Sequence, residues 1–224
     1  MKAAQINEYG HADKIVINEV ETPGVGEGQV LVEVQAASLN PFDSMVREGY
    51  LQEMTPLQLP VTLGGDIAGA VKEVGAGVNH IAVGDTIYGQ ANVVAGNSGA
   101  LAEFAATKAE QVAKAPVTIE ITEAASLPLV GVSALQALND HIELKADQKI
   151  FIHGGAGGIG SIAIQVAKHL GAHVITTATG EGIDYVKGLG ADEVIDYKPR
   201  TLLRSSAILM RSLIRLAAMT LPRP

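Results

Sequence analysis

Residues Lys149–Leu170 read KIFIHGGAGGIGSIAIQVAKHL. The apolar run Ile150-Phe151-Ile152 predicts a short buried strand. A glycine turn follows, Gly154-Gly155-Ala156-Gly157-Gly158-Ile159-Gly160. Ile159, Ile162, Ala163, Val166, Ala167 and Leu170 then recur at helical spacing. Strand, glycine turn and helix together are the context a dinucleotide-binding motif requires, and Gly155-x-Gly157-x-x-Gly160 supplies its spacing. In that motif the first glycine allows the tight turn. The second lets the backbone approach a pyrophosphate, and the third lets helix pack close to strand. The helix N-terminus offers unpaired N–H groups to the phosphate charge. Gly155, Ala156, Gly157, Gly158, Ile159 and Gly160 are therefore candidate cofactor contacts. A glycine-rich turn with no ligand has the same spacing, so context carries the reading.

C-terminal to this stretch, His173–Ala178 reads as a second strand. Ile183–Leu189 reads as a short helix closed by Gly190, and Glu193–Tyr197 as a third strand. Strands alternating with helices predict a parallel, doubly wound sheet. On the N-terminal side, Thr122 is a plausible helix cap, and Pro128 should break or kink the helical pattern that runs to His141. Before it lie short apolar segments separated by glycine, at 1–8, 15–20, 30–36, 64–75, 83–89 and 101–106. They predict a β-rich domain. Asn40-Pro41-Phe42-Asp43 looks like a helix start, with Pro41 suited to the first turn.

Composition narrows the function classes. The chain has 224 residues, no Cys and a net charge of −8. Without Cys there is no disulfide, thiolate nucleophile or Cys-ligated zinc site. The acidic balance argues against nucleic acid as a partner. No basic-then-apolar leader and no membrane-length apolar run occurs, so a cytoplasmic protein is expected.

An NAD site usually places Asp or Glu about 20 residues past the glycines, on the ribose 2′-hydroxyl. Here the second strand ends Thr176-Thr177-Ala178-Thr179-Gly180, and the first acid is Glu181. The missing carboxylate favours NADPH, whose 2′-phosphate a carboxylate would repel. Thr179 can offer a hydroxyl, or simply cap the next turn; Lys187 and Lys198 supply positive charge nearby.

With these residues in hand, the chain resembles the medium-chain dehydrogenase/reductase superfamily, in its zinc-independent quinone oxidoreductase (zeta-crystallin-like) branch. The matching pieces keep the family's order over 1–198: MKAAQINEYG, VEVQAASLNPFD, LGGDIAGAVKEVGAGV, VGDTIYG, AASLPLVGVSALQAL, IHGGAGGIGSIAIQVAK and LGADEVIDYK. The resemblance implies an α/β protein: a GroES-like β-rich catalytic domain over 1–120, then an incomplete Rossmann domain over 121–200, with NADPH in the cleft between them. Zinc-dependent relatives carry Cys and a His-Glu pair where this chain has Asn40, Gly65 and Asp66, so no catalytic zinc is expected. The substrate oxygen is then polarised by hydrogen bonds and by the nicotinamide site. Asn40 and Asp43 sit where such relatives line the substrate cleft, although Asn40-Pro41 also suits a plain turn. Ser133 matches a hydroxyl that contacts nicotinamide, or serves as a small helix-packing residue. Tyr197 matches a residue flanking the adenosine phosphate, and Met45 replaces a Tyr that relatives often hold against the cofactor. The implied reaction is hydride transfer from NADPH to a quinone or an enone, the proton coming from solvent or a bound water. A nucleotide-binding or scaffold protein without turnover is the alternative. A homodimer is open, because relatives commonly dimerise through later Rossmann parts.

The tail departs from the family. Residues 201–224 hold four Arg and no acid. As written, Ala207–Met219 predicts a basic amphipathic helix with Arg204, Arg211 and Arg215 on one face, suited to a membrane surface or to the open sheet edge. With a suitable choice of codons for Ala207–Thr220, reading from the third base would give DFDAVFDTVGGDD instead, the strand and turn the resemblance places here. That predicts a frameshift product, with an unpaired sheet edge, low stability and weak turnover.

Overall fold

The computed structural model describes residues 1–198; the basic tail lies outside the described residues. The chain divides into two compact units, Met1–Leu129 and Val130 onward.

The first unit opens with β1 (Lys2–Ile6) and β2 (Ile15–Glu19), an antiparallel pair with Ala4 opposite Ile17. β3 (Gln29–Ser38) leads into α1 (Pro41–Glu48), where Pro41 takes the first-turn position its fixed φ favours. Gly49 ends that helix in the left-handed region, at φ +78°. Next come β4 (Val61–Thr62), β5 (Asp66–Val74), β6 (Thr86–Gln90), β7 (Phe104–Lys108) and β8 (Val112–Lys114). They form two antiparallel sheets, ordered β2-β1-β4 and β7-β3-β5-β6-β8. The larger sheet is centred on β3 and β5. Val30, Val32, Ile67, Val71 and Ile87 meet there in one fully buried cluster. Simple alternation does not describe β3: Val30, Leu31 and Val32 are all buried, because both faces are covered at that end.

The short helix α2 (Ile121–Ala124) corrects one expectation. Its cap is Glu120 rather than Thr122, and the Glu120 N–H is taken by the Glu123 carboxylate at 3.0 Å. Glu120 and Glu123 form this contact across the first turn, which moves the start two residues earlier. The break expected at Pro128 is real: a separate helix, α3 (Pro128–Leu135), begins there and widens into a π-helical turn over Gln136–His141.

The second unit contains β9 (Lys149–Ile152), α4 (Gly158–His169), β10 (His173–Ala178), α5 (Gly182–Gly188) and β11 (Glu193–Asp196). The strands form one parallel sheet, ordered β11-β10-β9. Thr176 pairs with Ile152, and Ala178 with Asp196. Leu138, Ile152, Ile164, Ala167, Val174 and Val186 form its core. The buried face of α4 runs through Gly160, Ala163, Ile164 and Ala167, a helical i, i+3, i+4, i+7 set. Ile159, expected on that face, is instead 48% exposed in the first turn, beside the glycine loop.

Candidate functional site

At the C-terminal end of β9 the chain turns through glycines with separable roles. The Gly154 N–H donates to Thr177 Oγ1 at 2.8 Å, and the Gly155 N–H to the Thr177 carbonyl at 3.0 Å. These bonds tie the turn to β10. A Cβ at Gly155 would lie 2.2 Å from Thr176 Oγ1, and one at Gly160 would lie 2.3 Å from the Gly154 carbonyl oxygen. Both glycines permit close packing. At Gly157 a Cβ would meet the Gly154 oxygen at 3.3 Å, a tight contact but no clash, and nothing else within 4 Å. Gly157 caps α4, and the first helical bond runs from the Ser161 N–H to the Gly157 carbonyl at 2.9 Å. The Gly158, Ile159 and Gly160 amides precede that bond and sit at the positive end of the helix dipole. A glycine with this room beside three such amides is the geometry a diphosphate needs. Ala156 is exposed in the same loop, and Val130, at the start of α3, lies 3.1 Å from where a Gly158 Cβ would be.

β10 ends without a carboxylate. Thr176 Oγ1 donates to the Ile152 carbonyl at 2.7 Å and is fully buried. Thr177 Oγ1, which accepts from the Gly154 N–H, also lies 3.2 Å from His153 Nδ1. Thr179 Oγ1 is buried at the strand end and, among the described residues, has no hydrogen-bond partner of standard geometry. Across the sheet Asp196 is the nearest strand-end acid. The Lys198 N–H first, and then the nearby Thr179 hydroxyl, hold its carboxyl below the usual range. Tyr197 follows, 46% exposed. Lys187 lies 3.9 Å from Asp184. Ser133 is half-buried on α3.

In the first unit Asn40 and Asp43 come together. Asn40 caps α1; its N–H donates to Asp43 Oδ2 at 2.7 Å, and the Asp43 N–H donates to the Asn40 carbonyl at 2.9 Å. The Asn40 side chain reaches instead to Asp66: Nδ2 lies 2.8 Å from Asp66 Oδ2 and 3.4 Å from Ser38 Oγ. Asp66 is fully buried and also accepts from Ser38 Oγ at 2.9 Å, Leu129 N at 3.1 Å and Gln90 Nε2 at 3.3 Å. Burial pushes the Asp43 carboxyl above the usual carboxylate range. The Asp66 charge acts in the same direction, while hydrogen bonds from the Asn40 and Gly65 backbones oppose it. Among the described residues no group of three or more His, Asp or Glu is arranged to hold a metal ion.

Two family models match this chain: the alcohol dehydrogenase GroES-like domain over residues 26–117, and the zinc-binding dehydrogenase over 158–209. The chain is 38% identical over 204 residues to a chloroplast envelope quinone oxidoreductase homolog of Arabidopsis thaliana, covering 88% of this chain and 61% of that protein. It is 37% identical over 204 residues to an NADPH-dependent alkenal/one oxidoreductase of the same plant, covering 88% and 52%. The quinone oxidoreductase structure from Coxiella burnetii superposes with a TM-score of 0.82 at 36% identity, over 92% of this chain and 65% of that one. The chain belongs to the zinc-independent quinone oxidoreductase branch of the medium-chain dehydrogenase/reductase superfamily.

It spans about 61% and 52% of the length of these two curated relatives. The β-rich GroES-like unit and the parallel Rossmann sheet are those of this superfamily. Although the second family model is named for zinc, the positions where zinc-dependent relatives carry ligands hold Asn40, Gly65 and Asp66. Asp66, Ser38 and Gln90 form the hydrogen-bonded surroundings of Asn40, a role the linear chain does not advertise. A signal was present: Asp66 is an acid inside the small-residue run Gly64-Gly65-Asp66-Ile67-Ala68-Gly69, where a solvated carboxylate has no room.

Proposed function

We propose that this chain is an NADPH-dependent oxidoreductase that reduces quinones or α,β-unsaturated carbonyls by hydride transfer without zinc. The observation that carries this reading is the room at Gly157 beside the first amides of α4. Gly155 and Gly160 are glycines because packing demands it. Packing presses far less at Gly157, and close approach of a pyrophosphate accounts for a glycine there. The printed names of the two plant relatives, one a quinone oxidoreductase homolog and one NADPH-dependent, support the same reading.

The residues present fit the cofactor. Gly155–Gly160 would hold the pyrophosphate, and the buried Thr179 hydroxyl would meet the 2′-phosphate at the end of a strand that carries no carboxylate of its own. Tyr197 would flank the adenosine phosphate, and Ser133 would contact the nicotinamide. When bound, NADPH supplies a hydride and its electron pair. Asn40 and Asp43 would line the substrate side and order water at the substrate oxygen. That oxygen takes a proton from water, so NADPH, a proton and the quinone give NADP⁺ and the hydroquinone. Partners in this reading are a small quinone or enone and, where it assembles, a second copy in a homodimer. No described helix is long and apolar enough to cross a membrane. The compartment is read as the cytoplasm, which fractionation of cells expressing the tagged chain checks.

Absorbance at 340 nm with the 224-residue chain, NADPH and a simple benzoquinone tests the activity, with calorimetric NADPH binding alongside. Quinone-dependent NADPH loss is expected. NADPH binding without turnover at saturating quinone rejects the reductase and leaves a nucleotide-binding protein; no binding rejects both.

A further inference from the structure

We infer that Asp66 is a positioning residue, fixing the Asn40 carboxamide with its nitrogen turned to the buried carboxylate; the catalytic use of Asn40 rests on the reductase reading above. Asp66 is fully buried, and each of its four hydrogen-bond partners donates: Ser38 Oγ, Asn40 Nδ2, Gln90 Nε2 and the Leu129 N–H. That is the pattern of an acceptor-only carboxylate. Flipping Asn40 would set two acceptor oxygens 2.8 Å apart and take from Asp66 Oδ2 one of its two donors, leaving Ser38 Oγ alone there. The amide orientation therefore follows from its neighbour. The Asn40 backbone is held as well, by its N–H bond to Asp43 Oδ2 at 2.7 Å. The backbone N–H and the side-chain nitrogen are held by different carboxylates, so the carboxamide has little freedom.

In the reductase reading Asn40 would stand on the substrate side, and Asp66 acts only through the Asn40 carboxamide it holds.

The test uses the full ¹⁵N-labelled chain, with the Asn40 side-chain NH₂ signal identified by its loss in Asn40→Leu. Hydrogen exchange of that NH₂ should be at least tenfold slower than that of the exposed Asn7. Asp66→Asn should abolish the protection and lower kcat at least tenfold while NADPH Kd stays within twofold. Asp66→Glu, which keeps the carboxylate, should recover part of both losses. If Asp66→Asn fails to melt cooperatively, Ser38→Ala takes its place, removing one member of the same cluster and predicted to weaken protection and kcat together. Asn40 exchanging as freely as Asn7 overturns the inference, as does Asp66→Asn with wild-type kcat and protection. A chain that binds NADPH without turnover sinks the reductase reading alone, because amide exchange still decides whether Asp66 holds Asn40.

Discussion

Gly155 lies so close to Thr176 that a Cβ at the glycine would fall 2.2 Å from the threonine hydroxyl oxygen. Thr176 cannot retreat. It is fully buried and bonded to the Ile152 carbonyl. Gly155 thus serves the joint between β9 and β10, whereas Gly157 is the glycine proposed to serve a ligand. Gly155→Ala should cost about 1–3 kcal/mol, the usual range for overpacking, read as a lower urea midpoint. Gly157→Ala should stay within about 0.5 kcal/mol of wild type. It should nonetheless weaken NADPH at least tenfold, about 1.4 kcal/mol. Equal losses of stability and binding in both variants would refute this division.

Cofactor choice should turn on the end of β10. Thr179→Asp places a carboxylate where the strand now has none and removes the buried hydroxyl. The ratio of NADH to NADPH dissociation constants, measured by fluorescence titration, should fall at least tenfold, about 1.4 kcal/mol of preference. An unchanged ratio would mean that the 2′-phosphate lies elsewhere.

Asp192 braces the start of β10. It accepts from Lys168 Nζ at 2.9 and 2.8 Å and from the buried Val174 N–H at 2.7 Å, and these bonds hold its carboxyl below the usual range, Lys168 first. A depressed folded pKa stabilises above the unfolded value of 3.8 and is lost as pH falls through the folded value. Asp192→Asn should cost about 1 kcal/mol at pH 7, discounted for partial exposure of the pair. The gap to wild type should close in acid. Urea melts across pH show it, and a gap that widens in acid contradicts it.

Asp43 should slope the opposite way. Burial first, then the Asp66 charge, raises its folded pKa above 3.8. Between that reference and the raised value the folded state holds more protons, so wild type loses stability as pH rises. Above the raised value the loss is complete and flat. Asp43→Asn retains an acceptor for the Asn40 N–H and carries no charge, so it should gain on wild type through that window. Urea midpoints that run parallel for the two proteins would exclude the effect.

Local signals were enough for much of the molecule. Apolar runs, helical spacing and glycine positions placed β9, the turn, α4, β10 and β11, because each depends on residues a few positions apart. The same signals misplaced the α2 cap, where Glu120 and Glu123 take the first-turn contact, and put Ile159 on the buried face although it begins its helix beside an open loop. The basic tail, read as a frameshift product or an amphipathic helix, lies outside the described residues. The sequence by itself determined where a phosphate loop would stand and that β10 would end without an acid. Only the tertiary structure decided that Gly155 is closely packed while Gly157 has more room, and that the Asn40 side chain bonds to Asp66. The donors converging on Asp66 are 24, 26, 28 and 63 residues away along the chain. No periodicity reports such a meeting, because it arises only when β3, β5, β6 and the start of α3 close around one carboxylate from which water is excluded.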